Sequence, residues 1–253
     1  MSRPALSVVI PAYNESKRLT RSLELIVDYL SRRQEAFEIV VVDDGSSDDT
    51  AELAAHFAES RQSPAKPGQW TLRVLVNSRN RGKGYSVRRG MLEARGHYAL
   101  LTDADLSTPI EELAKLEREV RQSACQIALG SRGLKTSEVE VPQHGLRRLS
   151  GRTFNVIMRL VTGLPFKDTQ CGFKLFELGR CRQLFQAQLL DGFGFDVEVL
   201  YLARKCGLRM AEVAVVWRNV EGSTVSFSSG LKAVWDLAVI RYYDIKRRYQ
   251  TRS

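Results

Sequence analysis

Two aspartates, Asp103 and Asp105, leave the apolar run His97–Thr102 with a single residue between them. Carboxylates at i and i+2 beyond a buried strand can point to the same side and form a hard-oxygen site for Mg²⁺ or Mn²⁺. The intervening Ala104 leaves room for a ligand. Other polar groups fall at equivalent places. Asp43 and Asp44 follow the run Phe37–Val42, where a carboxylate can accept hydrogen bonds from a base or ribose. Pro11-Ala12-Tyr13-Asn14-Glu15 closes Leu6–Pro11 and offers an aromatic face beside a carboxylate, suited to a nucleobase. Arg132 follows Gln126–Gly130 and can pair with a diphosphate as a bidentate cation. Asn80-Arg81-Gly82-Lys83-Gly84 opens a helix, but it completes neither GxxxxGK[ST] nor GxGxxG. For Lys83, phosphate binding and a plain helix start therefore stand equal.

These residues need a scaffold that brings strand ends to one edge. The runs Leu6–Pro11, Phe37–Val42, Thr71–Val76, His97–Thr102 and Gln126–Gly130 are short and β-rich, without strict polar alternation. Between them, Leu19–Leu30, Thr50–Glu59, Tyr85–Ala94 and Ile110–Val120 show 3.6-residue spacing. Apolar strands alternating with helices predict a mostly parallel sheet covered on both faces, a Rossmann-like α/β fold whose ligands bind beyond the carboxyl strand ends. Ser47 ahead of Asp48 and Asp49 predicts one helix start. Thr108-Pro109-Ile110-Glu111 predicts another, through a capping box with proline at N1. The second half reads as a helix, then Asp168–Phe176, a helix near Phe195–Cys206, a strand near Met210–Trp217 and a final helix from about Gly230 to Tyr249.

The 253 residues carry 38 basic and 29 acidic side chains, a formal net charge of +9. Residues 1–133 hold 19 basic and 18 acidic groups; residues 134–253 hold 19 and 11. A basic second half admits nucleic acid, an anionic membrane surface or a phosphorylated substrate. Four cysteines without a CxxC pair argue against a zinc ribbon or a disulfide framework and for a reducing compartment. The run Leu6–Ile10 is too short for a signal h-region. No stretch reaches about 18 uncharged apolar residues, so no membrane span is expected.

In this order and spacing, VVIPAYNE, VVVDDGSSDDT, NRGKG, TDADLSTP and Gly130-Ser131-Arg132 resemble a family 2 glycosyltransferase with the GT-A fold. The second half narrows this. The stretch from Asp168 to Phe176, DTQCGFKLF, followed by Phe195-Asp196-Val197-Glu198, Val216-Trp217 and Glu221-Gly222-Ser223, looks like the dolichyl-phosphate β-glucosyltransferases, with dolichyl-phosphate mannosyltransferases nearest to them. The resemblance runs from about Leu6 to Tyr243. It implies one GT-A catalytic domain over 1–253, with a nucleotide-sugar half at 1–133 and an acceptor and membrane-facing half at 134–253.

The resemblance further implies that Pro11, Tyr13, Glu15 and Asp43 hold the nucleoside. Asp103 and Asp105 match the metal-binding pair, with Ala104 at the sugar-nucleotide site; Arg132 and Arg218 match arginines that bind the diphosphate. The mannosyltransferase relatives often carry a glutamine at Ser107, and relatives usually carry a lysine at Thr224, so each position here lacks one expected contact. Asp168 or Asp196 is expected to orient the acceptor or serve as base, with Asp168 favoured because it begins the more restrictive motif. The implied reaction is inverting, metal-dependent transfer of a hexose to a dolichyl or polyprenyl phosphate. UDP-glucose is the expected donor and GDP-mannose the alternative.

A second reading is a family 2 transferase acting on a polysaccharide or protein hydroxyl. A nucleic-acid module is disfavoured, since no RNP1, helix-turn-helix or C₂H₂ pattern is present. A lipid acceptor places the chain in the cytoplasm, peripheral on the cytoplasmic face of a membrane. The arginine-rich stretch His144–Phe166 and the final helix, with Trp235, Tyr242 and Lys246-Arg247-Arg248, are expected to reach that interface. A membrane-anchored partner subunit is the other route.

Overall fold

The computed structural model describes residues 3–61, 70–137, 158–218 and 228–249. Seven strands form one sheet: β1 (Leu6–Ala12), β2 (Phe37–Asp43), β3 (Trp70–Val76), β4 (Tyr98–Leu101), β5 (Ile127–Ser131), β6 (Lys174–Glu177) and β7 (Met210–Ala214). Their order is β3-β2-β1-β4-β6-β5-β7. The pairs β1–β2, β1–β4, β2–β3 and β5–β7 are parallel, whereas β6 runs antiparallel to both β4 and β5.

Among the described residues the helices with defined bounds are α1 (Leu19–Ser31), α2 (Thr50–Arg61), α3 (Lys83–Glu93), α4 (Leu113–Ser123), α5 (Leu178–Ala187), α6 (Phe195–Lys205) and α7 (Ser228–Ile245), and residues 158–162 are also helical. Successive strand side chains alternate between two buried faces. Val9, Val40, Val42, Leu101 and Phe176 belong to a cluster with residues of α3, α5 and α6. Val8, Ile10, Ile39, Val41 and Leu100 join one with residues of α1, α2 and α4. Both faces are dry, which is why the strands read as unbroken apolar runs.

The expected strands and helices of the first half are present with small shifts at their ends, but two expected caps are not. Asp48 Oδ1, not Ser47, accepts the Thr50 N–H at the start of α2, at 3.1 Å. Ser47 instead donates its N–H to Asn14 Oδ1 at 2.9 Å, tying the end of β2 to that of β1. Before α4 the chain makes a 3₁₀ turn, Ile110–Glu112, with Pro109 at its N-cap and no side-chain capping bond. Thr108 lies against the Cys171 sulfur instead. Helix α5 follows β6 directly and carries buried Leu178, Cys181, Leu184 and Phe185 at helical spacing; the sequence reading passed over it because no turn residue separates it from the strand. The four cysteines are free.

The antiparallel β6 positions the site. Parallel strands β1, β2, β4, β5 and β7 all end at one edge of the sheet. Because β6 runs the other way, its beginning lies there too, with Lys174 in register with both Leu101 and Leu129. The segment 168–173 is thereby delivered beside Asp103 and Arg132, although it lies 36 or more residues away from Arg132 in sequence.

Helix α3 lies directly on β1 and β2 at Gly90, where a Cβ would sit 2.5 Å from Val9 Cγ1 and 3.0 Å from Val42 Cγ2. Alanine in place of glycine in a helix gains about 1 kcal/mol of propensity, whereas overpacking costs about 1–3 kcal/mol. β-Branched Val9 cannot rotate away freely. Gly90→Ala is therefore expected to lower stability, read as the urea midpoint; a raised midpoint would contradict this packing.

Candidate active site

At the β1 end, Tyr13 is 47% exposed. Asn14 adopts a left-handed backbone (φ 55°) and receives Ser47 from the β2 end. Glu15 pairs with Arg18 at 2.7 Å. Burial raises the Glu15 pKa against the pull of Arg18, and Asp105 and Asp103 push it further up. The three carboxylates therefore share one electrostatic neighbourhood.

Asp43 and Asp44 are both buried. Asp43 accepts hydrogen bonds from the Ser46 N–H, at 3.1 Å, and from the Ser46 hydroxyl. Asp44 accepts from Asn77 Nδ2 at 2.7 Å and from the N–H groups of Arg81 and Gly82 at 3.0 and 2.7 Å. Through these bonds Asp44 ties the end of β2 to the loop that leads into α3. Ala104 differs from expectation. Its methyl group is buried in the core cluster that includes Leu106, Ile110 and Phe173, so the small residue serves packing rather than ligand space.

Lys83, in the first turn of α3, sets its ammonium 2.6 Å from Asp103 Oδ1. Burial opposes its charge, but Asp103 and Asp196 outweigh that and raise its pKa to about 12. Burial likewise opposes ionisation of Asp103, yet Lys83, Lys174 and Arg132 hold its carboxyl below the ordinary range. Behind Asp103 the chain at Gly172 comes so close that a Cβ there would lie 2.1 Å from Asp103 Oδ2. Any side chain at 172 would displace the first aspartate of the pair. Asp105 accepts the N–H and the hydroxyl of Ser107, each at 2.9 Å, so the short Ser107 side chain turns to Asp105.

Among the described residues no group of three or more His, Cys, Asp and Glu side chains gathers to hold a metal. Two carboxylates at a strand end nonetheless suit Mg²⁺ or Mn²⁺, which keep water and are commonly held by one or two carboxylates plus substrate phosphates. The donor set fits an ion that arrives with a nucleotide diphosphate.

Arg132 and Asp168 form a forked pair: Nε donates to Oδ2 at 2.6 Å, Nη2 to Oδ1 at 2.9 Å, and the Arg132 N–H to Oδ2 at 3.0 Å. Burial pushes Asp168 upward, but Arg132 outweighs it and holds the carboxyl below its ordinary value. Arg132 is correspondingly raised, with its guanidinium carbon 5.6 Å from the Trp217 ring. Glu212 on β7 fixes the segment by accepting the Lys167 and Asp168 N–H groups at 2.8 Å. Asp168 is thus engaged on both oxygens by Arg132.

Asp196, in the first turn of α6, is buried and paired with Lys174 Nζ at 2.5 Å. Lys174 also donates to the Cys171 carbonyl at 2.5 Å. Burial raises the Asp196 pKa against Lys174 and Lys83. Lys174, 1% exposed, is the residue that sequence reasoning missed; a lysine inside the apolar run of β6 was the available signal. The Arg218 N–H donates to the Ser107 carbonyl at 2.7 Å, which brings the chain beyond β7 to the Asp105 turn. Glu221-Gly222-Ser223-Thr224 and most of His144–Phe166 lie outside the described residues.

Six charges therefore meet at the edge as pairs of opposite sign: Lys83 with Asp103, Lys174 with Asp196, and Arg132 with Asp168. A mostly parallel sheet bearing such an edge is a GT-A, Rossmann-like architecture. The glucosyl-3-phosphoglycerate synthase of Mycobacterium tuberculosis, crystallised with Mn²⁺, UDP-glucose and phosphoglyceric acid, superposes with a TM-score of 0.64 at 18% identity, covering 94% of this chain and 79% of that one. The mannosyl-3-phosphoglycerate synthase of Rubrobacter xylanophilus gives 0.69 at 18% identity, covering 99% and 77%. At these identities the likeness concerns the fold.

The sequence comparisons go further. The family model described as Glycosyl transferase family 2 matches residues 7–185. Proteins named dolichyl-phosphate beta-glucosyltransferase are 36% identical in Dictyostelium discoideum, over 94% of this chain and 74% of that protein. The human protein of that name is also 36% identical, over 93% and 74%, and that of Saccharomyces cerevisiae is 32% identical, over 93% and 74%. The chain belongs to glycosyl transferase family 2.

Two outcomes follow from the charge pairs. Removing one partner of a buried pair strands the other, at about 3–5 kcal/mol. Lys174→Met is expected to destabilise by that amount in urea unfolding, and Lys174→Met with Asp196→Leu to recover part of it; an additive further loss would refute the coupling. Asp168 has a depressed folded pKa, so its contribution is complete above the ordinary value of 3.8 and is lost as pH falls through the folded value. Asp168→Asn should flatten the fall of stability at acid pH, seen as thermal midpoint against pH.

Proposed function

We propose that this enzyme transfers glucose from UDP-glucose to the phosphate of a dolichyl or polyprenyl phosphate, with Mg²⁺ or Mn²⁺. The observation that carries the choice of acceptor is the engagement of both candidate bases. Asp168 is locked by Arg132, and Asp196 is buried against Lys174. A sugar or protein hydroxyl needs a general base to lose its proton. A phosphate monoester, whose second pKa is about 6, is already largely ionised at neutral pH. An edge whose described carboxylates are all engaged suits the second kind of nucleophile.

In this reading Tyr13 and Glu15 flank the nucleoside, and Lys83, Arg132 and Arg218 offer positive charge to the diphosphate. An acceptor phosphate oxygen attacks the anomeric carbon as the bond from that carbon to the diphosphate breaks, so the electron pair leaves with the nucleoside diphosphate and the configuration inverts. The ion held by Asp103 and Asp105 would supply electrostatic stabilisation of the charge developing on the leaving group. The cationic side chains do the same from fixed positions.

The acceptor lies in a bilayer, and the final helix supports work at such a surface. Trp235, Ala238, Tyr242 and Ile245 form an exposed stripe at spacing of three and four, with Trp235 69% and Ile245 72% exposed. Arg241 and Lys246 flank it. No described helix is long and apolar enough to cross a membrane. Aromatic residues beside cations suit the headgroup region. The stripe begins beside the site, since a Cβ on Gly194, the N-cap of α6, would lie 2.5 Å from the Asp236 side chain.

Asp103→Ala and Asp105→Ala are expected to abolish transfer of radiolabelled glucose into a lipid-extractable product while leaving the chain folded, read by circular dichroism. Near-normal rates in either variant would sink the metal assignment. Absence of product from both UDP-glucose and GDP-mannose, with either ion, would sink the reaction itself. Titration with UDP and with GDP in Mn²⁺ reads the base preference directly.

A further inference from the structure

Glu198 lies in α6, fully buried, and takes no part in the charge pairs described above. Its two oxygens accept the N–H groups of Leu189 and Leu190 at 3.0 and 2.9 Å, and Oε1 also accepts the Tyr249 hydroxyl at 2.9 Å. Three donors converge on one carboxyl in the interior, from a loop and from a residue beyond the last helix. Bare hydrophobic packing would not need them.

The loop so held is a mould for the start of α3. The Asp191 carbonyl accepts the Tyr85 N–H at 3.1 Å. Gln188 Nε2 donates to the carbonyls of Gly84 and Leu190 at 2.8 and 2.9 Å. Arg88 donates to the Gln188 carbonyl at 3.0 Å. The two backbones touch. A Cβ on Gly82 (φ 105°) would lie 2.5 Å from the Asp191 oxygen, and one on Gly84 would lie 2.5 Å from the Leu190 oxygen. The glycines around Lys83 are therefore required by residues 190–192.

Tyr249 reaches Glu198 only because the chain reverses after α7. Arg247 takes a left-handed backbone (φ 52°), its N–H bonded to the Asp244 carbonyl at 2.9 Å. For a non-glycine residue that conformation is strained and persists where its surroundings demand it. Tyr249 is 8% exposed, edge-on to Tyr243 at 6.2 Å between centroids.

We propose that Glu198, latched by Tyr249, is a positioning residue for the donor site: it fixes residues 189–191 as the seat of residues 82–85 and so holds Lys83 against Asp103. The inference deepens the proposed reaction and rests on it only for the role of Lys83 toward the nucleotide. Burial raises the Glu198 carboxyl to about 7, opposed by the two backbone N–H groups, Tyr249 and Arg88. The other ionisable groups near Tyr249 are Asp244 and Tyr201.

The test uses the full chain with Tyr249→Phe, which deletes one hydroxyl and keeps the ring. Amide hydrogen exchange needs no ligand: Leu189, Leu190 and Tyr85 should exchange about tenfold faster, the order expected for one lost buried hydrogen bond, while β1 and β2 amides stay unchanged. Unaltered exchange at Tyr85 would overturn the inference, as would equal acceleration throughout the sheet. Calorimetric titration with UDP or GDP supplies the functional half. Tyr249→Phe should weaken the nucleotide that binds by about the same factor, but cause no further loss when added to Lys83→Met, because the effect runs through that lysine. Additive losses would refute the route through Lys83. If the unsubstituted protein binds neither nucleotide, the proposed reaction fails and the exchange result alone decides the latch.

Discussion

A buried ammonium holds the catalytic edge together: Lys174 is enclosed on β6 between β4 and β5, and its charge is met by Asp196 and the Cys171 carbonyl. A lysine in that position is tolerable only with a partner at hydrogen-bond distance, so α6 must present Asp196 at its first turn. The bond to Cys171 fixes the chain just before Gly172, whose backbone presses against Asp103. From there the charge pairs spread outward, to Lys83 on one side and to the Arg132–Asp168 fork on the other. Each charge has an opposite neighbour, and the group is electrically balanced.

That balance bears on the chemistry. A preorganised set of charges stabilises a transition state without having to rearrange when the reaction occurs. The lysines and arginine are held in place by the carboxylates they pair with, and each of those carboxylates is engaged in turn. The edge is accordingly suited to a nucleophile that arrives ionised and a leaving group that departs as an anion. The same rigidity depends on second neighbours that touch no ligand: Asp44 beneath the loop before α3, Glu212 beneath Asp168, and Glu198 beneath residues 189 and 190.

Much of this was legible before any fold was known, and the parts that were not share a cause. Asp103, Asp105, Glu15 and Arg132 were found because each follows an apolar run, and strand ends share an edge in a parallel sheet. Asp44 and Ala104 satisfy the same rule, yet their side chains turn inward to a loop and to the core. Position after a strand does not state the direction of a side chain. Asp168 stands at the edge as its motif implies, but the partner that engages both of its oxygens, Arg132, lies 36 residues earlier and is not visible from the motif. Ser47 and Thr108 look like caps within their own segments, and both find partners in loops from other parts of the chain. Lys174 hid in an apolar strand, where its charge has meaning only once Asp196 is beside it.

The sequence by itself determined the alternation of strands and helices, the edge at which ligands meet the sheet, and the residue types gathered there. Those follow from period, burial and local chain direction, which are properties of short segments. Only the tertiary structure decided that β6 enters the sheet reversed, that Gly172 backs Asp103, and which carboxylate pairs with which cation. Those outcomes depend on distances between groups far apart in the chain. A pKa, a base or a positioning role is a property of such distances, so it is written in the sequence only through the fold.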